Sequence, residues 1–261
     1  MRQFVLTIMV LLAAGTVPCD AQKAHETSGS RTTAIPLFNF SSDDGTGYGL
    51  RVNHFEYDGT SVPYRRKFST QAFVTTQGKW VHRLLVDAPQ FWSGQRLEAE
   101  LVYQKEDFAN YYGTLSDEEA DSYSKDQKTF RQAFPEIRIK WIRALRLPWR
   151  VRVGGRLSHN SITPNSSTGS ILADLAPLGA DGGLFAQVNG SLRYDSRDNY
   201  NNATSGVLEE LLVDFGVGGG GDYQGTTLSF SHRHFQPLVP GLTLAHRLNV
   251  DWTFGSLPFY E

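Results

Sequence analysis

Cysteine is almost absent from this sequence. Cys19 is the single one among 261 residues. One thiol forms no intrachain disulfide framework and no multi-cysteine metal site. Long apolar runs are also scarce. Outside the first 21 residues none is long enough for a membrane-spanning helix. A dominant charge is missing too. The formal net charge is -2, and the arginines are spread along the chain rather than gathered in a patch, which gives no sign of a nucleic-acid partner.

The first 21 residues read as a secretory signal peptide. Arg2 supplies a positive charge, residues 4–15 are apolar, and Cys19-Asp20-Ala21 offers small residues where an export peptidase cuts. Cys19 is a poor lipid-attachment site, because bulky Pro18 precedes it. Cleavage after Ala21 leaves a mature chain without cysteine. Residues 22–32 then read as a polar N-terminal linker, and residues 33–261 as one β domain.

The chain from residue 33 onward alternates. In 184–195, Ala186, Val188, Leu192 and Tyr194 are separated by Gln187, Asn189, Ser191, Arg193 and Asp195. A period of two means a strand with one apolar and one polar face. The pattern predicts eleven strands, near 33–42, 47–57, 64–76, 79–88, 95–105, 130–143, 149–158, 184–195, 206–215, 223–235 and 242–254. The first four alternate imperfectly. The links near 58–63, 89–94, 144–148, 196–205 and 236–241 are mostly short, whereas 106–129 and 159–183 are long. Short turns on one rim and long loops on the other fit an outer-membrane barrel.

Alternation alone does not separate a soluble sandwich from a barrel whose apolar side meets lipid. Three features favour lipid: an export signal, strands of the length a tilted span needs, and tryptophans near strand ends or on the apolar side. The expected fold is therefore an all-β, antiparallel transmembrane barrel. Its polar face would line a lumen, with Glu98, Glu100, Glu136, Arg138, Arg150, Arg152, Arg156, Arg193, Arg247 and Asp251 as a mixed-sign charge network. Outer-membrane lipid would be the partner of the apolar face.

Tyr194-Asp195-Ser196-Arg197-Asp198-Asn199, followed by Ser205-Gly206, resembles the aspartate–arginine–aspartate turn and following glycine of the BamA/TamA superfamily, also called bacterial surface antigens. Leu257-Pro258-Phe259-Tyr260-Glu261 looks like the start of that family's inward-folding surface loop. Ser42-Asp43-Asp44-Gly45-Thr46-Gly47-Tyr48-Gly49 looks like its first hairpin, and Tyr111-Tyr112-Gly113 resembles an element of its third outer loop. The resemblance marks Asp195, Arg197, Asp198, Gly206, Pro258, Phe259 and Tyr260 as motif residues. It implies a sixteen-stranded barrel that aids insertion or translocation of proteins at the outer membrane, with client barrels or exported proteins as partners. Eleven strands without the Val-Arg-Gly-aromatic motif read as the N-terminal part of such a barrel, giving an incomplete or open sheet.

Enzyme chemistry has less support. His232 and His234 share a strand face and could chelate a metal, but the sequence places no third ligand. His159-Asn160-Ser161 superficially resembles a nucleophile set, although strand neighbours point to opposite faces. Four glycines at 218–221 lack the Lys-Ser or Lys-Thr of a phosphate loop. The reading is a non-enzymatic barrel without metal or cofactor. A passive pore with a mixed-charge lumen is the alternative, and a hydrolase using His159 or His234 is a more distant one.

Overall fold

The computed structural model describes residues 28–61, 63–199 and 203–261. The signal-peptide reading and most of the 22–32 segment lie outside the described residues. Eleven strands form one sheet in strict sequence order, each pairing antiparallel with the next. They are β1 (Ser28–Ser41), β2 (Gly45–Asp58), β3 (Arg66–Thr75), β4 (Trp80–Trp92), β5 (Gln95–Asn110), β6 (Thr129–Ala144), β7 (Trp149–Pro164), β8 (Gly183–Asp195), β9 (Gly206–Gly218), β10 (Tyr223–Val239) and β11 (Leu242–Gly255). The sheet is not closed: β1 and β11 do not pair, so each keeps one free edge.

Strand number and order match the periodicity, but several boundaries shift, three of them by five or six residues. β1 begins at Ser28, so the end of the supposed 22–32 linker is strand. β5 runs to Asn110 and β7 to Pro164, which shortens both long loops. These extensions are mostly polar and lack a clean apolar–polar alternation, so periodicity could not reveal them. Ladder hydrogen bonds to the neighbouring strand hold them instead.

The register sorts the side chains into two faces. Leu84, Leu101, Ile137 and Leu157 form one row across β4 to β7, and Arg83, Val102, Glu136 and Ser158 form the next on the opposite face. The apolar face is open: Leu101, Val153 and Leu248 are about half exposed at 52%, 50% and 53%. The charged face is covered where Val102 and Glu136 sit, at 3% and 5%. A soluble domain would bury the greasy row and expose the charged one. This inversion is the expected pattern for a wall facing lipid. Imperfect alternation in the early strands has a simple source. Val81 and Leu85 share the charged face with Arg83 and Asp87.

The core is small and lies at the long-loop end of the charged face. Ala109, Phe130 and Leu172 are buried together, with Tyr111, Ile162, Ala180 and Phe259 against them. Short helices α1 (Asp117–Asp121), α2 (Lys125–Lys128) and α3 (Ile171–Leu175) sit in these loops. The acidic stretch starts α1 through a capping box, in which Ser116 and Glu119 satisfy each other's backbone N–H. Register shifts interrupt the ladders of β4–β5, β5–β6 and β10–β11 near their ends, and the β6–β7 seam has a gap without a shift. β6 and β7 pair on the same offset above and below Phe134 and Pro135, which themselves have no β7 partner. Proline has no N–H to donate to the ladder.

Candidate functional site: the charged face and its rim

The charged face is a chain of ion pairs. Arg96 grips Asp87 with two parallel hydrogen bonds, of 2.8 and 2.7 Å, and Tyr64 donates its hydroxyl to the same carboxylate at 2.5 Å. Arg96 also meets Glu98 at 2.9 Å. Further along, Arg83 and Arg138 flank Glu100 at 3.8 and 3.7 Å. Arg138 reaches on to Glu136, and Arg156 meets Glu136 at 3.3 Å. The Glu136 side chain is 1% exposed, so its charge depends on those two guanidiniums. A second centre forms on Glu210, which accepts from Arg193 at 2.8 Å and Ser191 at 2.9 Å and has Arg152 at 3.4 Å.

The expected network is thus partly rearranged. Register puts all ten named residues on this one face. Glu98 joins Arg96 and Asp87, whereas Glu100, Glu136, Arg138 and Arg156 join the neighbouring chain. Arg152 and Arg193 meet Glu210 rather than the named carboxylates. Arg247 donates to Asn249 at 3.0 Å. Arg150 and Asp251 have no ion pair among the described residues. Arg83, Asp87, Arg96, Glu210 and Glu261 are the members that sequence reasoning missed. Their polar placement was visible, but which charges meet is set by cross-strand register.

Pro258, Phe259 and Tyr260 lie over this face. The Phe259 N–H donates to the Leu178 carbonyl at 3.0 Å, and its ring packs edge-on against Tyr111 and Phe130. The Tyr260 and Tyr223 hydroxyls share a hydrogen bond of 3.1 Å. Glu261 meets Arg156 and so joins the chain ending on Glu136. Gly179 lies under the segment, where a Cβ would come 2.5 Å from Pro258 Cβ.

The aspartate–arginine–aspartate turn is built at the opposite rim, between β8 and β9. Arg197 forks onto Asp195 with bonds of 2.8 and 2.9 Å. Both side chains are largely covered, which strengthens this bidentate pair. Asp198 accepts from the backbone N–H groups of Asn199, Thr204 and Ser205 and from the Thr204 hydroxyl. The Thr204 hydroxyl and these amides hold the Asp198 carboxyl down to about 2. Gly206 takes a φ of +99°, and a Cβ there would sit 2.4 Å from the Ser196 carbonyl oxygen. Only glycine fits. Asp58, on the same rim, staples its own turn by accepting from Thr60 and Ser61.

The enzymatic candidates fare differently. His159 lies on the apolar face in the row of Leu184, and Asn160 is buried on the other face. No hydrogen bond links His159 to Ser161 among the described residues.

The Omp85 superfamily domain matches residues 85–261, more than half of the chain. The chain belongs to the Omp85 superfamily. It is an outer-membrane protein of that type, and its open eleven-stranded sheet has the fold of an Omp85 barrel wall. The crystal structure of BamA from Haemophilus ducreyi lacking POTRA domains 1–3 shares the fold, with a TM-score of 0.58 and 12% identity. The match covers 90% of this chain and 43% of that one, so the chain spans less than half of the BamA chain. At that identity the likeness speaks for the Omp85 fold alone. No curated protein matches the chain.

Proposed function

We propose that the chain acts at the outer membrane in the insertion or translocation of other proteins, by pairing a free strand edge with an incoming β-segment. The observation that carries this reading is the open sheet. Among the described residues β1 and β11 each have one edge without a strand partner, which presents a row of N–H and C=O groups. In hydrocarbon each such group costs several kcal/mol, so an edge held in lipid strongly favours a partner strand. Exposed edges template new strands by main-chain hydrogen bonding. Membership of the Omp85 superfamily supports the same reading.

Photo-crosslinking residues placed singly along β1 and β11 would test it in cells that are producing client barrels. The expected result is crosslinking to a client at alternate positions of one edge, with client insertion failing on depletion of this protein. Depletion that leaves insertion intact, with no edge crosslinks, would refute it. The charged face favours a second reading, a passive pore. There Arg152→Glu would change ion selectivity in planar bilayers and leave client insertion untouched.

A further inference from the structure

The last hairpin gathers three of the seven histidines. His234 lies directly across from His246 in the β10–β11 register, and His232 is the next residue of β10 on that face. Ring centres are 5.1 Å apart for His234 and His246, 5.6 Å for His232 and His246, and 6.3 Å for His232 and His234. A fourth group completes the cluster. Glu209 is the β9 neighbour of His232 and meets its Nδ1 at 3.1 Å.

We propose that His232, His234 and His246 form a binding site for one divalent transition-metal ion of the zinc type, with Glu209 orienting His232. Zinc binds imidazole nitrogen at about 2.0–2.1 Å, which puts the ion roughly 3.2 Å from each ring centre. Two such rings at a tetrahedral angle then have centres about 5.2 Å apart. Two observed spacings, 5.1 and 5.6 Å, lie close to that value, and the third, 6.3 Å between His232 and His234, is about 1 Å wider. As placed, no group of three or more His, Cys, Asp or Glu among the described residues could hold a metal ion, these three rings included. Closing the site takes side-chain rotation only, because register has already fixed the backbone. All three rings are exposed or half-exposed, so no packing opposes that rotation.

The chemistry of the donors selects the ion. Imidazoles suit zinc, copper and nickel, whereas calcium and magnesium ask for an oxygen shell. Glu209 on Nδ1 leaves Nε2 of His232 free for metal, the carboxylate–histidine–metal relay that fixes tautomer and ring orientation. Three protein ligands leave a fourth position for water or a second molecule. Arg233 and Arg247 alternate with the histidines and so lie on the other face of the sheet.

Position gives the site a consequence. The row through His232 continues to Glu209, Tyr194 and Trp149, and the last two rings meet edge-on at 5.0 Å. Tyrosine and tryptophan mark the membrane–water interface. The hairpin turn and Gln236 lie just beyond. A metal there is reachable from water and ties the free-edge strand β11 to β10.

The test uses the full chain, purified without a polyhistidine tag, in detergent micelles. Zinc is titrated by calorimetry and cobalt by visible absorption. The expected result is one zinc per chain and an intense cobalt band of tetrahedral type. His234→Gln and His246→Gln should each weaken zinc binding roughly tenfold or more, and Glu209→Gln roughly tenfold. His82→Gln, distant on β4, should leave binding unchanged. Zinc should also slow amide hydrogen exchange in β11. A parent chain that takes up no zinc saturably would overturn the proposal. So would a His246→Gln variant that binds as tightly as the parent.

Discussion

Replacing Gly206 by alanine tests whether the rim turn is as tightly constrained as its geometry says. Two costs apply. A non-glycine residue held at a φ of +99° is strained by roughly 1–3 kcal/mol. The new Cβ would also meet the Ser196 carbonyl oxygen at 2.4 Å and Arg197 Cα at 2.8 Å. Those are backbone atoms, so relief requires moving the turn segment that carries Arg197 and its pair with Asp195. Overpacking of this kind costs about 1–3 kcal/mol more. Gly94 is the matched control. It has a φ of +68° with nothing within 4 Å of an added Cβ, so Gly94→Ala carries the conformational cost without the collision. The difference between the two variants should be about 2 kcal/mol. With urea slopes of about 1–3 kcal/mol/M, Gly206→Ala should unfold roughly 0.7–2 M below Gly94→Ala. Tryptophan fluorescence in micelles reads the transition. Equal midpoints would refute the collision argument and, with it, the claim that only glycine fits here.

Three further outcomes follow from the same geometry. Glu136→Gln should destabilise the sheet by roughly 2–3 kcal/mol. The usual loss on breaking a buried pair is about 3–5 kcal/mol, and it is reduced because Arg138 and Arg156 are partly exposed and keep Glu100 and Glu261. Urea unfolding checks it. Asp198 has a folded-state value depressed to about 2, so its contribution is complete above its unfolded value near about 4 and fades as pH falls toward about 2. Hydrogen exchange at the Thr204 and Ser205 amides should therefore show protection lost on acidification across that window, and Asp198→Asn should abolish the pH dependence. Single cysteines at Leu101, Val153 and Leu248 should react with lipid-soluble and not with water-soluble probes in vesicles. The opposite pattern would mean that the greasy face is not a lipid surface.

Much of the wall was legible because one force wrote it. Each strand from β5 onward must satisfy lipid on one side and charge on the other, and that requirement appears as strict alternation in Leu97, Ala99, Leu101 and Tyr103 against Arg96, Glu98 and Glu100. Glycine and aspartate at turns mark the ends, as Asp58, Gly94 and Gly206 do. Contacts that depend on register were hidden. Glu210 gathering Arg152, Arg193 and Ser191 joins three strands, and no local pattern encodes it. His246 joins His232 and His234 only after the hairpin sets its offset. The strand extensions beyond Lys105 and Ser158 were hidden because their residues lack the apolar–charged contrast. Core and loops cover Ala109, Asn160 and Ile162 on one face, while His159, Ser161 and Thr163 stay exposed on the other.

The break beside Pro135 bears on how such a wall can move. The residue offset between β6 and β7 is unchanged on either side of it, so neighbouring strands need not slide for the gap to widen. Two panels of the sheet meet along that line like cloth joined by a seam with missing stitches. At that line two adjacent positions of β6 go without ladder partners while the pairing above and below keeps one register, so the gap can flex without a slip.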